Sequence, residues 1–110
     1  MRIVLSTFPD LEAARQVGTL LVEMQLAACV NLVPGVESIF RWQGKIEHAA
    51  EVLAVFKTTA DAFPAFAEKL AELHPYDVPE IIALTPEAVA ENYAAWVAGS
   101  IKERGRPAHS

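Results

Sequence analysis

Two long strand-like segments separated by Gln43-Gly44 place the strongest constraint on the fold. Residues 28–42 and 45–58 have strand-type apolar patterns, and the Gln-Gly pair between them is typical of a tight hairpin turn. Two strands of about fourteen residues each reach roughly 45 Å at about 3.3 Å per residue. A compact domain of 110 residues is only about 34 Å across. The hairpin is therefore expected to extend beyond its own core.

The part of the hairpin that extends past the core is apolar. It contains Ile39, Phe40 and Trp42, and exposed apolar strands of this kind promote aggregation unless another chain covers them. We therefore predict a closed oligomer in which the hairpin pairs with a neighbouring copy. Within the first strand of the hairpin, Pro34-Gly35 predicts a bulge that does not end the strand.

The rest of the chain alternates strand and helix patterns. Residues 2–8 predict a strand, residues 11–25 a helix with Asp10 as its N-cap, and residues 61–73 a second helix with Pro64 in its first turn. The unbroken apolar run 52–56 in the second hairpin strand predicts burial on both faces. Residues 80–84 predict a short buried strand.

A last helix is predicted to open at Thr85-Pro86-Glu87 and to end at Gly105 and Pro107. Its inward side chains are expected to be Val89, Tyr93, Trp96, Val97 and Ile101. The element order is then β, α, β, β, α, β, α, and its first six elements match the split βαβ arrangement. The predicted fold class is α+β, a ferredoxin-like βαββαβ sandwich with a long β2-β3 hairpin and an additional C-terminal helix.

Composition narrows the class of protein. We predict a single domain over residues 1–110, with an ordered core over about 2–103 and a loose tail over 104–110. Hydrophobic residues make up 53% of the chain and charged residues 21%, which excludes a mainly disordered state. The formal net charge of -5 disfavours nucleic-acid binding. No apolar run is long enough to span a bilayer, and no membrane partner is expected.

The compartment is inferred from the cysteine content and the N-terminus. Cys29 is the single cysteine and cannot form an intramolecular disulfide, which fits a reducing compartment. The first residues lack the apolar segment of a secretory signal peptide. We therefore predict a cytoplasmic protein.

Metal ligation has limited support within one chain. The one cysteine and the three histidines, His48, His74 and His109, share no short ligand spacing. Cys29 is interpreted either as a small core residue or as a ligand. His48 is interpreted as a solvated hairpin residue and His109 as part of the tail.

The segment 74–80 is the most unusual one, because two prolines in five residues stiffen a loop rich in polar side chains. It is either a rigid connector or a ligand-binding loop in which His74 ligates a metal and Tyr76 or Glu80 hydrogen-bonds a small molecule. Lys57, after an apolar strand, either extends to solvent or pairs with an acid or a ligand anion. No catalytic motif is present, which favours a protein that is not an enzyme.

The chain resembles the CutA family of divalent-cation tolerance proteins over about residues 3 to 101. The matching segments are Leu26-Ala27-Ala28-Cys29-Val30-Asn31, Pro34-Gly35-Val36-Glu37-Ser38, Trp42-Gln43-Gly44-Lys45-Ile46, Lys57-Thr58-Thr59 and His74-Pro75-Tyr76-Asp77-Val78-Pro79-Glu80-Ile81. The resemblance implies a ferredoxin-like subunit in a tight homotrimer formed by intersubunit sheet pairing, with an architecture similar to the PII signalling proteins.

The resemblance also implies a role in the tolerance of copper and other divalent cations. Copper-binding members can carry Cys at the position of Ser6 and two histidines before the Pro-Tyr pair. This chain has Ser6, Leu73 and His74 there, so it keeps one of the three ligands.

Two hypotheses follow for function. In the first, a homotrimer acts in copper tolerance by binding, with His74 and Cys29 as metal ligands, copper or another divalent cation as the ion, and no metal required for folding. In the second, a PII-like trimer binds an anionic or polar small molecule in an intersubunit cleft lined by Trp42, Lys57, Tyr76 and Glu80. A third interpretation is a stable scaffold that presents a surface to another protein.

Overall fold

The computed structural model describes residues 1–102 and contains four strands and three helices in that range. In chain order they are β1 (Arg2–Phe8), α1 (Leu11–Glu23), β2 (Cys29–Trp42), β3 (Lys45–Thr58), α2 (Phe63–Leu73), β4 (Ile82–Leu84) and α3 (Glu91–Gly99). The strands form one antiparallel sheet in the order β2-β3-β1-β4. The predicted α+β fold, with its ferredoxin-like element order and its additional C-terminal helix, is confirmed.

The β2-β3 hairpin extends well beyond the helix-covered core, as its length predicted. The turn is at Gln43 and Gly44, which have φ values of 50° and 78°, and Trp42 pairs with Lys45 across it. Two central residues with positive φ are typical of a type I′ turn, whose twist matches that of the strands. The molecule measures 53 × 28 × 24 Å. The side chains of Ile39, Phe40 and Trp42 are 61%, 42% and 51% exposed.

The predicted bulge at Pro34-Gly35 is also confirmed. Val33 pairs with Leu53 and Val36 pairs with Glu51, so β2 contains one more residue than β3 across this interval. Gly35 has a φ of 77°, which glycine adopts without steric cost. The bulge changes the register without ending the strand, and both strands continue to the turn.

One face of the sheet is covered by α1 and α2 and forms the core. From β1 and β3 it contributes Val4, Phe8, Val52, Ala54 and Phe56, all buried. Helix α1 adds Ala14, Val17 and Leu21, and α2 adds Phe66 and Leu70. The Asp10 carboxylate caps α1 by accepting the Ala13 amide hydrogen at 2.8 Å, so the predicted N-cap is confirmed.

The opposite face of the sheet remains largely open within the single chain. Leu53 and Val55, on that face of β3, are only half-buried, so burial of the run 52–56 on both faces is not observed. All three residues of β4 are exposed, Ile82 by 47% and Leu84 by 46%. The predicted buried strand was therefore wrong for one chain: β4 is an edge strand, and even Ala83, which pairs with the core residue Val4, is exposed.

The predicted start of the last helix was wrong. Residues 85–90 form no helix, and α3 begins at Glu91. Of the side chains expected to face inward, Val97 is buried, whereas Tyr93 and Trp96 are 39% and 49% exposed. A proline and a capping hydroxyl favour a helix start only locally, and a helix this short depends on packing contacts for stability. The predicted helix end at Gly105 and Pro107 was also wrong, because α3 ends at Gly99 and residues 100–102 are not helical. The tail 104–110 and His109 lie outside the described residues.

Two fully buried hydroxyls on neighbouring strands give a matched test of hydrogen bonding in the core. Thr58 donates to the Leu26 carbonyl at 2.6 Å, whereas the Ser6 hydroxyl has no hydrogen-bond partner among residues 1–102. We expect Ser6→Ala to leave the free energy of unfolding unchanged or to raise it by up to about 1 kcal/mol, and Thr58→Val to lower it by about 1 kcal/mol. Urea denaturation of both variants measures these changes in the free energy of unfolding. A Ser6→Ala variant less stable than Thr58→Val would contradict the prediction.

Candidate functional site

A cavity lies between the part of the hairpin from the bulge to the turn and the loop that follows α2. Its volume is about 710 Å³, which is within the usual range for small-molecule sites of roughly 300–1,000 Å³. The lining residues are Thr7, Ser38, Ile39, Phe40, Trp42, Ala49, Glu51, Pro75, Tyr76, Asp77, Val78 and Glu80. The hairpin thus supplies one wall of the cavity and the proline-rich loop supplies the other.

His74 anchors that loop to the edge of the core. Its ring stacks on Phe8 with centroids 4.4 Å apart. Nε2 lies 2.9 Å from the Thr7 carbonyl oxygen, and Nδ1 accepts the Tyr76 amide hydrogen at 3.1 Å. These two contacts assign the neutral tautomer with the proton on Nε2, which donates to Thr7. A metal ion at either nitrogen would have to displace one of the two hydrogen bonds.

The surroundings of His74 favour its neutral form. Burial lowers the pKa of His74 from its ordinary value of 6.5, and this effect outweighs the hydrogen bond to the Thr7 carbonyl oxygen and the charge of Glu51, which both raise the pKa. Protonation would place a hydrogen on Nδ1 directly opposite the Tyr76 amide hydrogen, so that the contact would be lost. The position of the loop that follows α2 therefore depends on an uncharged His74 ring.

We expect the protein to lose stability as pH falls below about 6.5. Because the pKa of His74 is lowered in the folded chain, the unfolded chain binds the proton first, and the free energy of unfolding decreases as pH falls from the unfolded toward the folded pKa. Urea denaturation between about pH 7.5 and 5 measures this, since most carboxylates titrate below that range. His74→Gln should remove this part of the pH dependence, and His48→Gln, at an exposed position, should retain it. A pH profile unchanged in His74→Gln would contradict the assignment.

Tyr76 joins the loop to β3. Its hydroxyl donates to Glu51 Oε2 at 2.7 Å. Burial, followed by the hydrogen bond to Glu51 and the charges of Glu51 and Asp10, raises the pKa of the Tyr76 hydroxyl well above its ordinary value. The hydroxyl thus remains a neutral donor, and Glu51 is held in place at the cavity wall.

Cys29 lies at the other end of the sheet. It pairs with Lys57 on β3, which in turn pairs with Ile3 on β1, whereas His74 contacts Thr7. Four residues along a strand correspond to about 13 Å, so one chain does not bring these two candidate ligands together. The Cys29 sulfur lies 3.6 Å from the Tyr93 hydroxyl, and this contact raises the pKa of Tyr93. Across residues 1–102, no group of three potential His, Cys, Asp or Glu ligands is placed to hold a metal ion.

Three of the four residues predicted for the small-molecule cleft line the cavity: Trp42, Tyr76 and Glu80. Lys57 does not. It donates to Asn31 Oδ1 and lies six residues from Glu51 along β3, or about 20 Å. Phe40 and Glu51 also line the cavity and were not among the residues predicted for the cleft. The even spacing of Lys45, Glu47 and Glu51 indicates that these three side chains share one face of β3.

Within the described part of the chain, no helix combines the length and the apolar character that crossing a membrane requires.

The fold and the cavity together define a class: ferredoxin-like α+β proteins with an extended hairpin and a cavity between that hairpin and the loop after α2. The chain belongs to the CutA1 divalent ion tolerance protein family, whose model matches residues 2–100. Over 95 residues it is 48% identical to the divalent-cation tolerance protein CutA of Thermus thermophilus, covering 86% of this chain and 92% of that protein. The crystal structure of CutA1 from Pyrococcus horikoshii superposes with a TM-score of 0.90 at 41% identity, covering 94% of this chain and 100% of that chain.

The family relatives differ in length and in the compartments that their names give. The chain spans about half of Protein CutA of Mus musculus, to which it is 44% identical over 91 residues, covering 83% of this chain and 51% of that protein. One relative, from Arabidopsis thaliana, is named chloroplastic, and a structure from Archaeoglobus fulgidus is titled periplasmic.

Proposed function

We propose that the protein is a homotrimer formed through its hairpins and the open faces of its sheets. The exposed apolar hairpin carries this proposal: Ile39, Trp42 and Ile46 are 61%, 51% and 56% exposed in the single chain. The open face adds Ile82 and Leu84, which lie beside β1. Cyclic assembly would cover both surfaces in every subunit and leave none for further growth. A trimer is also what the resemblance to the CutA family implies.

The trimer is proposed to act in divalent-cation tolerance by binding an ion and not by catalysis. Copper or another divalent cation is the proposed ligand, with His74 and Cys29 as the candidate side chains. Because the two differ by about 13 Å along the strand direction and β3 lies between their strands, a shared site would have to combine residues from neighbouring subunits. His74 would bind a metal through one ring nitrogen after losing a hydrogen bond to Thr7 or Tyr76.

Native mass spectrometry with and without Cu(II) tests both parts of this proposal. We expect the mass of three chains, and a fixed number of copper ions that His74→Ala removes and His48→Ala does not. His48 is an exposed hairpin residue and controls for incidental copper binding by a surface imidazole. A mass other than that of a trimer would overturn the assembly. A trimer that gains no copper would overturn the metal proposal alone.

The second candidate function is a PII-like sensor or signalling trimer with an intersubunit ligand cleft. The cavity of about 710 Å³ favours it, because it brings together Trp42, Tyr76 and Glu80. Lys57 would complete the predicted set only from a neighbouring subunit. Small-molecule binding that is lost in Lys57→Met would support this arrangement, and binding unchanged in that variant would remove Lys57 from the cleft.

The proposed compartment is the cytoplasm. The single cysteine, Cys29, is free, and an unpaired thiol fits a reducing environment. Fractionation of the producing cells tests this, and recovery of the protein outside the cytoplasmic fraction would overturn it.

A further inference from the structure

Within one chain, the cavity between the hairpin and the loop after α2 carries an unbalanced charge. Among its described lining residues are the carboxylates of Glu51, Asp77 and Glu80, with no lysine, arginine or histidine. Glu47 and Lys45 lie on the same face of β3 as Glu51, closer to the turn, and pair with Phe40 and Trp42. Their charges are of opposite sign and cancel. The residues around the cavity therefore favour a positively charged occupant.

The remaining walls of the cavity are aromatic and aliphatic. Phe40 and Trp42 come from β2, Tyr76 from the loop, and Ile39, Ala49 and Val78 lie between them. In the single chain, Trp42 is 51% exposed and Phe40 is 42% exposed, so no other residue of the same chain covers their rings. Aromatic faces attract cations through their quadrupoles, most strongly for tryptophan. An aromatic wall beside carboxylates thus suits a molecule with an apolar body and a cationic end.

We propose that this cavity binds an organic monocation with a flat apolar body, of the amidinium, guanidinium or ammonium class. The inference rests on the second candidate function, in which this cleft binds a small molecule. The ligand proposed here is cationic, whereas the sequence suggested an anionic or polar one. That suggestion depended on Lys57, which within one chain lies about 20 Å along β3 from Glu51 and donates a hydrogen bond to Asn31.

The contacts of Glu51 indicate where the charged end of such a ligand would lie. Glu51 Oε2 accepts the Tyr76 hydroxyl hydrogen, which fixes the carboxylate and leaves its other oxygen available as an acceptor. A planar amidinium donates two parallel hydrogen bonds and suits carboxylate oxygens. The apolar body would then extend along the hairpin toward Phe40, which pairs with Glu47, four residues or about 13 Å from Glu51 along β3.

Three isosteric probes separate charge from shape: benzamidinium, benzamide and benzoate, which are cationic, neutral and anionic. Each is titrated into the full-length protein by calorimetry, with ligand-observed NMR for weak binding. We expect benzamidinium to bind at least about tenfold more tightly than benzamide and benzoate to bind least. The preference should decrease as salt concentration rises, because ions screen partly exposed charges.

Matched variants locate the binding site. Asp77→Asn and Glu80→Gln should each weaken benzamidinium binding and leave benzamide unchanged, whereas Trp42→Ala should weaken both. Glu12→Gln makes the same charge change at an exposed position on α1 and should leave all three affinities unchanged. Far-ultraviolet circular dichroism confirms that each variant is folded.

The outcomes separate this inference from the function on which it rests. Equal binding of benzamidinium and benzamide, lost in Trp42→Ala, would preserve a small-molecule cleft and overturn the cationic class. Preferred binding of benzoate, lost in Lys57→Met, would restore the anionic cleft and overturn the inference. Failure of all three probes to bind would overturn it as well, while the trimer and copper measurements would stand independently.

Discussion

Ile82→Lys is expected to convert the assembled protein into monomers. Ile82 lies on β4 opposite Leu5 and is 47% exposed in the single chain, so a lysine can be accommodated in an isolated subunit. In the proposed trimer the same position lies against a neighbouring subunit. A buried ammonium without a partner costs several kcal/mol, and cyclic symmetry would introduce one such charge in each subunit.

Sedimentation velocity over a range of protein concentrations measures this effect. Gln16→Lys adds the same charge on the exposed side of α1 and should leave the mass of the assembly unchanged. Circular dichroism distinguishes a folded monomer from an unfolded chain. An Ile82→Lys protein that keeps the parental mass would show that the open face is not the interface.

Phe56→Ala is expected to lower the free energy of unfolding by about 3–5 kcal/mol, the usual cost of removing a buried aromatic ring. Phe56 is fully buried on β3. Its ring meets that of Phe66 on α2 edge-on, with centroids 5.0 Å apart, and thus joins the sheet to its helix layer. Small domains are stable by only about 5–15 kcal/mol, so much of the variant is expected to unfold near physiological temperature.

Chemical denaturation at a fixed protein concentration tests this prediction, because the stability of an oligomer depends on concentration. Leu20→Ala provides the control: it also truncates an apolar side chain, but Leu20 is 42% exposed on α1, so we expect a change within about 0.5 kcal/mol. A similar loss in both variants would contradict the assignment of Phe56 to the core.

The sequence predicted the elements whose patterns are local and strong. The hairpin followed from two long strands and the Gln43-Gly44 turn, α1 from its apolar spacing and the Asp10 cap, and the bulge from Pro34-Gly35. The start of α3 was wrong because Thr85-Pro86-Glu87 satisfies the local rules for a helix start without the packing that stabilises a short helix. Such packing is not encoded within a few residues.

Part of the candidate site was predictable for a similar reason. The prolines in segment 74–80 indicated a rigid loop, and Tyr76 and Glu80 do line the cavity. The grouping of Lys57 with them failed within one chain, because Trp42 adjoins the hairpin turn and Lys57 lies near the far end of β3. The predicted strand bounds and turn already implied this separation. Glu51 was recognisable as an acid at the start of an apolar run, but its bond to Tyr76 depends on how the loop folds back onto β3.

The bulge in β2 has a consequence for how copies of this chain associate. β2 is an edge strand, and a long uninterrupted edge can template unlimited strand addition. Pro34 has no amide hydrogen to donate, and the extra residue at the bulge breaks the regular spacing of the neighbouring backbone groups. An incoming strand could therefore pair with one half of β2 but not with its whole length, which favours a finite ring over a growing fibril.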